Sequence, residues 1–375
     1  MKRTLLTLCV ALACTAPFAR AGDVKIRLAT LAPKDSSIYR VLQGMGETWK
    51  AAENAPKLLI HADATMGGEG DVVKKMRVGQ LQAAVLTVAG LRDIDESVTA
   101  LQNLPLVFRT LDETVKVREA LEPVIRERMR AQGFELLFLS DVGWVHFFSV
   151  NPLEHPGDLK KVKLFTWAGD TPQVDLMKSL GLNPVPLEPT DILVGLQTGL
   201  VDCVPMVPFF AQIAQLHDKA KYMLDLDWAP LVGGAVMTKK AWDSLDAAQQ
   251  KLVKDSARKA GVEIIEKNRV EAQQSIEAMK KRGLVVTKPS PEVVAEWRAF
   301  QHPKMTNGVP DYTAAAMATQ QEASERREQY ERRLKEVEDA QKEQTNKLLE
   351  ISGMSREEAG AQVLGRIASV LARGE

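Results

Sequence analysis

The sequence predicts an α/β fold of two lobes with a cleft between them, and three observations carry that prediction. Strand-period and helix-period segments alternate from residue 24 to about residue 300, the βαβ rhythm of an α/β fold. Residues 83–88 form a short, nearly continuous apolar run, as a strand buried in a parallel sheet does. The alternation starts afresh near Glu135, so a second lobe follows the first.

The elements follow in order. Lys2 and Arg3, an apolar run over residues 5–13 and the small-x-small site Ala19-Arg20-Ala21 read as a cleaved secretory signal. Residues 24–29 alternate as a half-buried strand, and residues 37–52 place Ile38, Val41, Leu42, Met45 and Trp49 on one helical face. A strand is expected over 58–62, a helix over 72–78 closed by Gly79, and a strand over 83–88. In the second lobe strands are expected over 135–140, 145–150 and 162–166, with a helix over 171–180 ended by Gly181. Thr190 is the expected cap of a helix reaching Leu200. Strands follow over 201–207 and 235–238, the latter returning toward the first lobe. A long helix then runs from 246 to 282, opened by an Asp246–Gln249 capping box.

Beyond residue 302 the composition changes. Residues 313–350 contain no Gly or Pro, and Glu precedes a base by four at Glu322–Arg326, Glu328–Arg332, Glu331–Lys335, Glu338–Lys342 and Glu343–Lys347. Such pairs each support an exposed helix by about 0.2–0.5 kcal/mol. A solvated helix on the body and a surface for a helical partner or self-association over 311–350 are both open; Ser355 with Glu358 resembles a further capping box. The division is therefore signal peptide 1–21, first lobe 22–142 with about 235–260, second lobe 143–234, long helix and lobe-spanning segment 246–300, and charged C-terminal helical extension 301–375.

Composition excludes several function classes. The 375 residues carry 49 basic and 49 acidic side chains, and loss of Lys2, Arg3 and Arg20 leaves a net charge of −3. Such a chain has no electrostatic case for nucleic acid. Only Cys203 remains after cleavage, so no internal disulfide is expected. The five histidines show no paired metal-ligand spacing, no Gly-x-Ser-x-Gly elbow is present, and Gly67-Gly68-Glu69-Gly70 lacks the lysine of a phosphate loop. No enzyme, cofactor or metal site is expected.

Several motifs point to one family. Leu28-Ala29-Thr30-Leu31-Ala32-Pro33 opens the chain, followed by Gly67-Gly68-Glu69 and then Met76-Arg77-Val78-Gly79. Asn103-Leu104-Pro105-Leu106-Val107-Phe108, Pro156-Gly157-Asp158-Leu159 and Leu196-Gln197-Thr198-Gly199-Leu200-Val201-Asp202 continue the pattern. In this order the segments resemble the DctP-like solute receptors of tripartite ATP-independent periplasmic (TRAP) transporters. The resemblance covers residues 24–300. It implies a two-lobed periplasmic binding protein fold, with a long hinge-spanning helix, that closes on a solute and delivers it to a TRAP-type membrane permease.

The resemblance also locates the cleft. Family members hold carboxylates with an arginine after "K-x", where this chain has Phe165, and with another after "G-[FW]", where it has Val145. The segment after Asp202 carries apolar residues where polar ones are common. These positions gather Trp144, Val145, Phe165, Trp167, Met206, Val207 and Phe209, with Gly68, Glu69 and Thr87 from the first lobe; Asp170 and His146 are the polar handles. An arginine fork meets both oxygens of a carboxylate, and neither Val nor Phe can replace it. The expectation is a neutral or largely apolar ligand. The alternatives are an organic-acid receptor with a relocated clamp, and a periplasmic lipid carrier or scaffold that binds a partner through its C-terminal helices.

Overall fold

The computed structural model describes residues 24–102, 105–305 and 332. The expected signal peptide, the charged helix of 313–350, the Ser355 box and the 311–350 partner surface lie outside the described residues. β1 (Lys25–Thr30), α1 (Ser37–Ala51), β2 (Lys57–His61), α2 (Glu69–Arg77), β3 (Ala83–Thr87) and the short α3 (Val88–Arg92) open the first lobe. α4 (Leu111–Ala131), which the sequence reading passes over, leads into β4 (Phe134–Ser149). β5 (Lys163–Trp167), α5 (Thr171–Ser179), β6 (Asn183–Leu187), α6 (Ile192–Thr198), β7 (Cys203–Met206) and α7 (Pro208–Ile213) form the second lobe. β8 (Tyr222–Thr238), α8 (Lys239–Asp243), α9 (Ala247–Lys280), β9 (Val285–Thr287) and α10 (Pro291–Met305) complete the chain.

One mixed sheet runs through both lobes in the order β2-β1-β3-β8-β4-β7-β5-β6, with β9 added beside β8. β4 and β8 are the antiparallel pair common to both lobes. β8 changes its outer neighbour on the way, pairing with β9 at residues 222–224 and with β3 at 233–237. The parallel strands β1, β2 and β3 lie on one side of this pair and β5, β6 and β7 on the other. β6 holds Pro184 and Pro186 without losing ladder bonds it needs, because it is the sheet's edge.

The structure corrects three expectations. The strands expected over 135–140 and 145–150 are one strand. Gly143, at φ +125°, and register shifts around it let β4 bend through without ending. β8 is likewise far longer than the expected 235–238. Thr190 does not cap a helix, since a 3-10 turn over Pro189–Asp191 comes first and Asp191 occupies the cap position.

α9 ties the lobes together. At 34 residues it reaches about 50 Å at 1.5 Å per residue. Asp246 accepts from the Gln249 N–H, and the Gln249 side chain accepts from the Asp246 N–H, so the capping box is present. Val253, Ala257, Ala260 and Ile264 pack in the first-lobe core, while Met279 packs in the second. The Trp49 indole donates to Ser256 Oγ at 2.7 Å, fixing α1 to α9. No helix among the described residues is long and apolar enough to cross a membrane.

Candidate functional site: the interlobe cleft

The cleft lies at the carboxyl ends of the parallel strands, where open α/β sheets bind ligands. From the first lobe come Leu31 after β1, Thr87 ending β3, and Ala89 and Arg92 on α3. From the second come Phe165 and Trp167 on β5, Asp170 before α5, Met206 at the end of β7 and Val207 just after it. The shared strands supply Val145 and Phe147 on β4 and Trp228, Ala229 and Leu231 on β8. Two adjoining cavities of about 230 and 240 Å³ share Trp167, Met206 and Leu231. Joined, they enter the lower part of the range of about 300–1,000 Å³ usual for small ligands. A third, more polar notch is lined by Gly68, Glu69, Asp71, Trp167, Asp170 and Glu188. Trp167 borders all three.

The expectation of a cleft without a cation does not hold. Arg92 enters from α3, and its Nη1 lies 2.5 Å from Asp170 Oδ1 across the gap between lobes. Both side chains are largely buried, 14% and 8% exposed. Asp170 Oδ1 also accepts from the Gln173 N–H and so is held at the start of α5. Sequence reasoning missed Arg92 because nothing local marks it. A five-residue helix had to turn its last side chain toward a lobe whose contributing residue lies 78 positions away.

The other expected residues separate into three groups. Val145, Phe165, Trp167, Met206 and Val207 come together on the main cavity, with Phe165 and Trp167 ring centroids 5.7 Å apart. Thr87 lines the adjoining cavity and Gly68 the polar notch. Trp144 and Phe209 line neither: Trp144 packs against the first-lobe core and Phe209 is buried against Phe210. Phe210 does reach the adjoining cavity. Glu69 borders the notch, but its carboxylate is engaged internally. It accepts from the Thr87 N–H at 2.7 Å, the Thr87 hydroxyl at 2.6 Å and the Gly90 N–H at 2.8 Å. Burial raises its pKa, while those donors oppose the rise. Its role is to pin the β3–α3 corner that carries Arg92.

Three further charges have definite places. Lys163 points away from the cleft and donates to the Gly199 carbonyl at the end of α6. Glu188 faces Gly68 across the notch; burial, then Asp71 and Asp191, raise its pKa. His146 is not a cleft handle. Its β4 neighbours Val145 and Phe147 line the cavity, whereas the buried His146 Nδ1 lies 3.6 Å from Asp225. Burial holds the His146 pKa down at about 4, so the imidazole is neutral near pH 7.

With this geometry, comparison with known proteins is decisive. The profile of bacterial extracellular solute-binding protein family 7, DctP, matches residues 28–309. The chain belongs to that family. Over 241 residues it is 24% identical to the 2,3-diketo-L-gulonate-binding periplasmic protein of Escherichia coli, covering 61% of this chain and 70% of that protein. Its fold is similar to a TRAP periplasmic solute-binding protein of Xanthobacter autotrophicus solved with β-D-galacturonate. That match has a TM-score of 0.72 and 20% identity, covering 78% of this chain and 99% of the other. A Bordetella pertussis extracytoplasmic receptor binding pyroglutamic acid matches with a TM-score of 0.73 and 17% identity, covering 80% and 99%. The family member described here is a TRAP-type solute receptor with the two-lobed fold, and not an enzyme. TRAP receptors work in the periplasm and pass solutes to a membrane permease.

Proposed function

We propose that the cleft of this receptor takes a small organic acid with an apolar body, its carboxylate held by Arg92. The observation that carries the reading is the buried Arg92–Asp170 pair: a guanidinium inside the cleft that already grips a carboxylate. A ligand carboxylate takes up Arg92 as the Asp170 carboxylate does, and the body of the ligand lies against Phe165, Trp167 and Met206. Acids bound by fold relatives support this reading: galacturonate in the Xanthobacter protein and pyroglutamic acid in the Bordetella protein. The apolar residues at positions 145 and 165 favour an acid less hydroxylated than a uronate, because sugar hydroxyls would lose hydrogen bonds there.

One observation favours a second reading. Asp170 already neutralises Arg92, so the paired cleft suits the neutral apolar ligand read from the sequence. Thermal-shift and calorimetric screening of monocarboxylates beside neutral hydrophobes, on wild type, R92Q and D170N, separates the two. For an acid, R92Q loses roughly 2–5 kcal/mol of affinity while D170N binds at least as tightly as wild type. A ligand unaffected by R92Q overturns the acid reading. Export of this chain completes the proposal, with a mature N-terminus at Gly22. Sequencing the protein recovered from its native host tests that cleavage; a retained Lys2 would refute it.

A further inference from the structure

The sequence holds no paired metal-ligand spacing, yet the fold assembles a ligand set outside the cleft lining. Asp225 and Asp227 are two apart on β8, which directs both carboxylates to one face of the strand. His146 stands beside them on β4. The β4–β8 ladder is interrupted at this point: Val145 pairs with Ala229, but the next ladder pair is Phe147 with Leu224. Four β8 residues, 225–228, therefore face His146 alone, and the slack lets both carboxylates gather around the ring. Nδ1 of His146 and one oxygen of each Asp all lie within 4.8 Å of one another.

A second observation points to an occupant. His146 is only 5% exposed, and its Nδ1 makes no hydrogen bond. A buried ring nitrogen left without a partner is costly, and native structures rarely leave one so. This nitrogen is aimed at the two carboxylates, 3.6 Å from the nearer oxygen of Asp225. Two carboxylates and a neutral imidazole repel no cation and offer three ligand atoms. Lys288, whose charge acts on Asp227, is exposed.

We propose that His146, Asp225 and Asp227 bind a divalent first-row transition ion of the zinc class where the shared strands cross between lobes. Imidazole with carboxylates suits zinc and its neighbours, whereas calcium and magnesium prefer oxygen alone. Metal–ligand bonds of about 2.0–2.2 Å need the three atoms roughly 3.4 Å apart, a contraction that side-chain rotation supplies. Asp227 is exposed, so a water completes the coordination from the solvent side. The ion joins β4 to β8 where their ladder is missing, beside Val145 and Phe147 of the cleft wall.

The test uses untagged protein carrying its C-terminal extension, stripped with chelator and free of solute. Equilibrium dialysis against Zn²⁺, with Mn²⁺ and Ca²⁺ in parallel, is read by elemental mass spectrometry. One Zn²⁺ per chain at micromolar affinity is expected, weakened at least tenfold in D225N and in D227N and lost in H146Q. Circular dichroism shows that the exposed D227N variant remains folded. Absence of saturable zinc binding, preference for calcium, or binding unchanged in D225N/D227N overturns the site. No solute enters the assay, so the result stands apart from the nature of the cleft ligand.

Discussion

Glu69 illustrates how one residue can look functional in sequence and prove architectural. It sits in the Gly67-Gly68-Glu69 segment, yet all its hydrogen bonding is spent on Thr87 and Gly90. Glu69→Ala leaves two backbone N–H groups and a hydroxyl unpaired in a buried corner. A loss of about 2–4 kcal/mol in urea unfolding is expected, and a change below about 0.5 kcal/mol would contradict the assignment. Cys203 gives a second test. Its thiol is fully buried, and burial followed by the nearby Asp202 charge pushes its pKa far up. In protein lacking residues 1–21 it should not react with a thiol reagent at pH 8 until the chain is unfolded.

At the scale of elements, α9 depends on close approach to β4. A Cβ at Gly261 would lie 2.8 Å from the Phe138 ring, with the ring's own Cβ 3.0 Å away. The contact is with the root of a buried side chain on a shared strand, so it cannot swing aside cheaply. Gly261→Val should lift α9 from the sheet and lower stability by roughly 1–3 kcal/mol, read by thermal or urea unfolding. The capping box at the same helix's start is worth less. Asp246→Ala should cost about 1 kcal/mol, since the first turn keeps its packing.

For the whole molecule, the lobes meet with Glu188 of the second against Gly68 of the first, in a notch that also holds Asp71. Burial first, then Asp71 and Asp191, raise the Glu188 pKa above 4.5 where the lobes meet. A carboxyl with a raised pKa binds its proton more tightly when closed than when open. Lowering the pH toward 5 therefore favours closure, and raising it through the shifted pKa disfavours closure. Small-angle scattering of unliganded protein should show a smaller radius of gyration at pH 5 than at pH 7, with the difference reduced in Glu188→Gln. An equal pH response in that variant would assign the effect to other groups. Trp167 borders all three cavities of the cleft, so its fluorescence offers a parallel readout.

Local signals determined much of this protein. Period and capping marked the α1 face and the α9 box, because each depends on residues three or four positions apart. Family motifs carried the receptor fold, and Val145, Phe165, Trp167, Met206 and Val207 were legible as one cluster through them. What sequence order could not express was pairing between distant segments. The continuity of β4 and β8, the meeting of Arg92 with Asp170, and the gathering of His146 with Asp225 and Asp227 all depend on which strands lie side by side. That choice is made when two lobes bury their apolar faces on one shared sheet. Tertiary packing alone therefore decided whether the cleft contains a positive charge.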